Sequence, residues 1–221
     1  MYFSIITITK NNTVGFEKTR ASIHGQTCDD YEWIVIDGDA EPDNGIYDAM
    51  NKGIDRARCD YLIFMNAGDQ FVDENVLKTL SKYAADFIYG DAVEGDFTKQ
   101  SKHYTQMGGG MITHHQAMIY RRSVVNDLRY DEVYPIAADY KFTIEYMIRC
   151  RSFLKLDMVI CDYEIGGVSQ INAKQGRMEQ VKIRREMGMR QPLTFYRQWL
   201  SQIVKNNCPK LFLKLRAICG P

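Results

Sequence analysis

Between Tyr2 and Asp91 the chain alternates short β-branched or apolar runs with longer amphipathic stretches, and this alternation restricts the fold more than any other feature. The runs are 2–9 (YFSIITIT), 32–36 (EWIVI), 61–65 (YLIFM) and 87–89 (FIY), which read as buried strands. Lys10 to Thr13 is a polar turn with Thr13 as a candidate cap, and a helix is expected over 15–26. In the next stretch Ile46, Tyr47, Met50, Gly53, Ile54 and Ala57 share one helical face, with Asp48, Asn51, Lys52, Asp55 and Arg56 opposite. A third helix, capped by Asp73, presents Val76, Leu77, Leu80, Tyr83 and Ala84. Strands alternating with helices imply an α/β fold with a mostly parallel central sheet and crossover helices. Ligands of such sheets bind beyond the carboxyl ends of the strands. There the sequence puts Asp37, Asp39, Asp69 and Asp91.

The second half is less regular. Residues 92–110 have little periodicity, and Gly108-Gly109-Gly110 reads as flexible backbone. A strand is expected over 116–120 behind His114-His115, a helix over 138–149, an extended segment over 153–163 and a loop at Gly166-Gly167. Helices then run from about 173, with breaks at Pro192 and Pro209.

At 221 residues and zero formal charge, the chain can form one sizeable core and is not expected to bind nucleic acid. Its six cysteines have no metal-ligand spacing and read as reduced core residues, which suits a cytoplasmic protein. The apolar start lacks a basic flank and a cleavage site, and no run approaches the ~18 apolar residues of a membrane span. Secretion and membrane insertion are therefore not expected. After Glu186 there are no acids, while Arg190, Arg197, Lys205, Lys210, Lys214 and Arg216 alternate with apolar residues. This tail, 190–221, suits an amphipathic pair of helices peripheral to an anionic membrane, on its inner face. The competing reading packs it on the body or in a dimer, so the oligomeric state stays open.

The loop Asn66-Ala67-Gly68-Asp69 follows a buried strand and is the first place to expect a phosphate and a metal. Oxygen ligands with few carboxylates suit Mg2+ or Mn2+ shared with a diphosphate; a pair of adjacent histidines without a nearby cysteine does not suit zinc. There is no GxGxxG and no GxxxxGK[ST], which excludes nicotinamide dehydrogenases and P-loop NTPases. A nucleotide base could still hydrogen-bond to Thr7, Thr9 and Asp37, although both threonines also fit as β-branched strand residues.

The string EPDNGIYDAMNKGI (41–54) followed by YLIFMNAGD (61–69) closely resembles bacterial family-2 glycosyltransferases with the GT-A fold. The likeness continues in Thr7-Ile8-Thr9-Lys10-Asn11, in 32–38, in Tyr89-Gly90-Asp91, in His115-Gln116-Ala117 and in Ala138-Asp139-Tyr140, so it spans about 1–169. The chain departs from the family at Asn66-Ala67-Gly68-Asp69, where many relatives have a DxD-like motif and only Asp69 is acidic here. The resemblance implies a GT-A domain over 1–189, with 1–91 binding the nucleotide-sugar and 92–189 the acceptor. It implies that Asp37 contacts the base, that Asp69 binds the divalent metal and that Asp139 is the general base. It also implies that Asp43, Lys52, Asn66, Ala67, Gly68 and His115 lie around the donor. The implied reaction is an inverting transfer from a nucleotide-sugar, UDP-linked, to a hydroxyl of a glycan or lipid-linked acceptor in cell-envelope polysaccharide synthesis. Gly108 to Gly110 would then be a mobile loop over the donor, and 166–169 would line the acceptor side.

Two other readings compete. Ile34-Val35-Ile36-Asp37-Gly38-Asp39 resembles the strand-DxD start of haloacid-dehalogenase-type phosphatases, with Asp37 as nucleophile and Asp39 as acid, although Ala40 stands where Thr or Val is usual. The reduced acidic loop also suits a non-catalytic subunit that binds a nucleotide-sugar.

Overall fold

The computed structural model describes residues 2–190; the tail expected over 190–221 lies, apart from Arg190, outside the described residues. In order, the elements are β1 (Phe3–Thr9), α1 (Thr13–His24), β2 (Tyr31–Asp37), α2 (Ile46–Arg56), β3 (Tyr61–Phe64), β4 (Gln70–Phe71), α3 (Val76–Leu80) and β5 (Phe87–Glu94). They continue with β6 (Phe97–Lys99), β7 (Met118–Arg121), α4 (Arg122–Val125), α5 (Ala138–Arg149), β8 (Phe153–Tyr163), α6 (Val168–Ile171) and α7 (Ala173–Glu186). Short 3-10 helices lie at Tyr104–Gly109 and His115–Ala117.

The strands form one sheet in the order β2-β1-β3-β7-β5-β8-β4, with β6 paired to β5. β1, β2, β3, β5 and β8 share one direction, as the strand-helix alternation predicts, while β4, β6 and β7 oppose it. Parallel neighbours need a crossover of a dozen or more residues, whereas β5 and β6 are joined by the tight turn at Gly95 and so pair antiparallel.

Period-two alternation sorts the strand residues between two cores. Tyr61 and Ile63 of β3 face one side with Phe3, Ile5, Ile88 and Ile119, under Ile23 of α1 and Val76, Leu77 and Leu80 of α3. Leu62 and Phe64 face the other with Ile6, Phe87 and Tyr120, under Met50 and Ile54 of α2, Phe142 and Tyr146 of α5 and Ile183 of α7. Helix α2 lies so close to β1 that a Cβ at Gly53 would stand 2.3 Å from Ile6 Cγ2. The cap of α1 is Asn12 rather than Thr13: its Oδ1 accepts the Gly15 N–H at 3.0 Å. No helix among the described residues is long and apolar enough to cross a membrane.

Candidate functional site

The ends of β1, β3 and β8 open on a cavity of about 1170 Å³. Pockets for one small ligand run to roughly 1000 Å³, so this one has room for two substrates. Its floor is the loop behind β3. Met65 and Ala67 extend the ladder to β1 by donating to Ile6 O and Ile8 O, which brings Asn66 and Ala67 to the rim beside Thr9. At Gly68 (φ +111°) a side chain would meet Glu164 Oε2 at 2.0 Å, so the turn is restricted to glycine. The Gly68 N–H is held by Thr19 Oγ1 at 2.9 Å, and Thr19 Oγ1 also lies 3.0 Å from Asn66 O and 2.7 Å from Asp69 O.

That turn folds Asp69 beneath the loop, where it is 4% exposed. Its Oδ1 accepts the Glu164 N–H at 3.0 Å and its Oδ2 accepts Gln116 Nε2 at 2.6 Å. Burial pushes the Asp69 carboxyl up to about 6, with these hydrogen bonds and His115 acting against the rise.

Asp139 occupies the first turn of α5 and lines the same cavity. Its Oδ1 accepts the Tyr140 N–H at 2.8 Å and lies 3.4 Å from Tyr47 OH, which is also 2.9 Å from Ile136 O. Its Oδ2 is 3.5 Å from His115 Nδ1, and His115 Nε2 is 3.2 Å from Asn66 Nδ2. The imidazole thus stands between the loop at Asn66 and the carboxylate of Asp139, with one ring nitrogen toward each. Asn66 Oδ1 is left buried without a partner.

Among the described residues, no three His, Cys, Asp or Glu side chains converge to hold a metal by themselves. Asp69 and the unpartnered Asn66 Oδ1 do supply two oxygen donors from one loop. That set fits Mg2+ or Mn2+, which take one or two protein oxygens and complete their shell with phosphates and water.

Comparison with known proteins gives the site its context. No family model matches the chain. A PGL/p-HBAD biosynthesis glycosyltransferase of Mycobacterium bovis is 26% identical, over 89% of this chain and 90% of that protein. An uncharacterized glycosyltransferase of Mycobacterium tuberculosis is 28% identical over 75% of this chain and 76% of its own length. In structure, S. aureus TarS 1–349 in complex with UDP-GlcNAc matches with a TM-score of 0.64 at 18% identity, covering 78% of this chain and 61% of that one. Mannosyltransferase PcManGT from Pyrobaculum calidifontis, in complex with GDP-Man and Mn2+, also gives 0.64 at 14% identity, over 99% of this chain and 76% of that one. The chain has the GT-A fold of these enzymes and is similar in sequence to mycobacterial glycosyltransferases. It spans only 37% of the longer TarS chain.

Of the residues expected to serve this glycosyltransferase, Thr9, Asp43, Asn66, Ala67, Asp69, His115 and Asp139 all line the cavity, as do Gly166, Gly167, Val168 and Ser169. Thr7 requires a correction: it is fully buried, donates to Met65 O at 2.7 Å and accepts Trp33 Nε1 at 2.9 Å, so its hydroxyl braces β1 and is closed to a ligand. Lys52 is drawn off to Pro42 O and Asp48, and the Gly68 N–H to Thr19; neither residue is part of the cavity wall. Asp37 is outside that wall too and accepts the Asp39 N–H, while Asp39 Oδ2 accepts Asn11 N–H. The two acids of the phosphatase reading thus shape a turn. Asp91 is interior to β5, where its Oδ1 holds Ser101 N–H and Oγ at 2.7 Å each. Gly108 and Gly109 belong to a 3-10 helix anchored by buried Met107, and Gly108 to Gly110 do not line the cavity. Gln116, Thr19 and Tyr47 join the site beyond the residues expected there. Gln116 and Tyr47 stand inside the family-like strings, whereas nothing in the sequence distinguishes Thr19 from any helical threonine.

Proposed function

We propose that this glycosyltransferase moves a sugar from a UDP-linked donor to a hydroxyl of a glycan or lipid-linked acceptor, with inversion at the anomeric carbon. The reading rests on Asp139, a cavity-facing carboxylate held between Tyr47 and His115 and tied through His115 to the donor-side loop at Asn66. The acceptor hydroxyl gives its proton to Asp139 while its oxygen forms the new bond to the anomeric carbon. The bond to the nucleoside diphosphate breaks on the opposite face, and one displacement inverts that carbon. His115 keeps the receiving carboxylate in place from the other side. A divalent cation, Mn2+ or Mg2+, would be held by Asp69 and Asn66 and would offset charge on the departing phosphate. The UDP-sugar in TarS and the Mn2+ in PcManGT support the donor and the cation.

Asp139→Asn keeps the size of the side chain and removes its basicity. Turnover should fall by about 10²–10⁴-fold while the donor Kd changes by less than about threefold. Steady-state kinetics and titration with UDP measure the two. Near-normal turnover would remove Asp139 as the base. Donor binding without transfer by the unaltered protein would favour a non-catalytic subunit.

A further inference from the structure

A second polar cluster lines the cavity and takes no part in the transfer step above. Lys99 ends β6, is half-buried and contributes to the cavity wall. Its Nζ lies 3.3 Å from His114 Nε2, and it makes no ion pair among the described residues. Glu94 and Asp139 are within electrostatic range, but each carboxylate is engaged elsewhere. Glu94 Oε2 is 3.3 Å from His114 Nε2 and its Oε1 accepts Gln170 Nε2 at 2.7 Å. His114 stacks flat on Tyr163 with ring centroids 4.1 Å apart. Burial, and then the charge of Lys99, draw the His114 pKa down to about 4, so the imidazole is neutral at pH 7. Thr113, next to His114, is fully buried, lines the same cavity and has no partner for its hydroxyl.

An ammonium withdrawn from water without a close counter-ion is costly, and burial accordingly lowers the pKa of Lys99. The unpaired Thr113 hydroxyl on the wall of the same cavity adds a second cost. Both costs are relieved by one kind of occupant: a compact anion that accepts from the ammonium and the hydroxyl together. Because the lysine and the threonine face a cavity with room for two substrates, that anion can arrive as part of one of them.

We propose that Lys99 and Thr113 form an anion subsite that receives a phosphate group of a substrate. The subsite deepens the reading of the cavity as a nucleotide-sugar site and rests on it in part. Two sources present the required chemistry, the donor diphosphate and a phosphate borne by the acceptor.

Titration calorimetry on the full chain in EDTA tests the proposal. UDP, uridine and orthophosphate are the probes, the last added both alone and to protein saturated with UDP. Lys99→Met should bind the relevant anion about 10- to 100-fold more weakly, the range of a charge-assisted contact, and Lys99→Arg should recover most of the loss. Thr113→Val should weaken the same anion several-fold. The thermal midpoint of Lys99→Met should hold or rise, because an uncompensated charge has been removed; this separates lost recognition from a damaged fold. A loss for UDP with uridine unchanged assigns the subsite to the donor diphosphate. A loss confined to orthophosphate on the UDP-saturated protein assigns it to an acceptor phosphate. Equal binding of UDP and orthophosphate by the unaltered protein and Lys99→Met, or a parallel loss of uridine, overturns the subsite. If the unaltered protein binds neither UDP nor uridine, the nucleotide reading falls, and orthophosphate alone then decides on the subsite.

Discussion

At the scale of single residues, Asp69 and Thr7 are the most testable. The fold favours protonated Asp69, since burial raises its pKa to about 6 from the ordinary 3.8. The stability contributed by that proton is complete below 3.8 and is lost as pH rises through about 6. Asp69→Asn has no such dependence, and Gln116 can turn its unpartnered Oε1 to accept from the new amide. Between pH 4 and 7 the unaltered protein should therefore lose about 2–3 kcal/mol relative to Asp69→Asn in urea unfolding, even as the variant loses transfer activity. Curves that run parallel across that pH range would show that the carboxylate titrates normally. Thr7→Val deletes a hydroxyl that satisfies both Met65 O and Trp33 Nε1. It should cost about 1–3 kcal/mol with the urea m-value unchanged, and leave UDP affinity intact. The contrast marks what was legible in the sequence. The place of Asp139 on the cavity wall was legible because a family-like string opens its helix. Thr7 and Thr9 could not be told apart, because whether a strand residue reaches the rim depends on where the neighbouring strands stop.

At the scale of elements, two segments of the second half were readable to the residue, whereas the third helix, expected to run from an Asp73 cap through Tyr83 and Ala84, is capped by Asn75 and ends at Leu80. The expected helix over 138–149 is α5 and the extended segment over 153–163 is β8. Period and length decide such elements locally. The direction of β7 and the length of β5 were not readable. β5 runs on to Glu94 because β6 pairs with its far half, a partner that no local pattern announces, and this is why Asp91 falls inside a strand. Helix α2 offers the sharpest test of packing. Gly53→Ala gains about 1 kcal/mol of helix propensity but forces a methyl to 2.3 Å from Ile6 Cγ2 in the core. The clash should prevail, with a net loss of about 1–2 kcal/mol in urea midpoint experiments; a stabilised variant would mean that α2 can shift outward at little cost.

At the scale of the whole molecule, the basic residues that follow Glu186 set the question of where the enzyme works. If they hold it at an anionic surface, the full chain should float with phosphatidylserine vesicles at low salt and a chain ending at Met189 should not. Identical behaviour of the two would assign the tail to the body or to a dimer. The cavity itself could not be seen in the sequence, because it is lined by segments far apart in the chain.

The pairing of β4 with β8 joins Gln70 to Asp162 and Phe71 to Cys161, and alongside it the Glu164 N–H reaches Asp69. Such a span makes high-contact-order closure a late event in folding. On the ribosome, where N-terminal segments emerge and organise first, β1, β2 and β3 can assemble while Asp69 is still open to water. Only when β8 arrives is the carboxylate sealed in. A nascent or truncated chain that stops before Tyr163 would thus own most of its donor-side residues and still lack a finished site, so the site is completed only once β8 has been made.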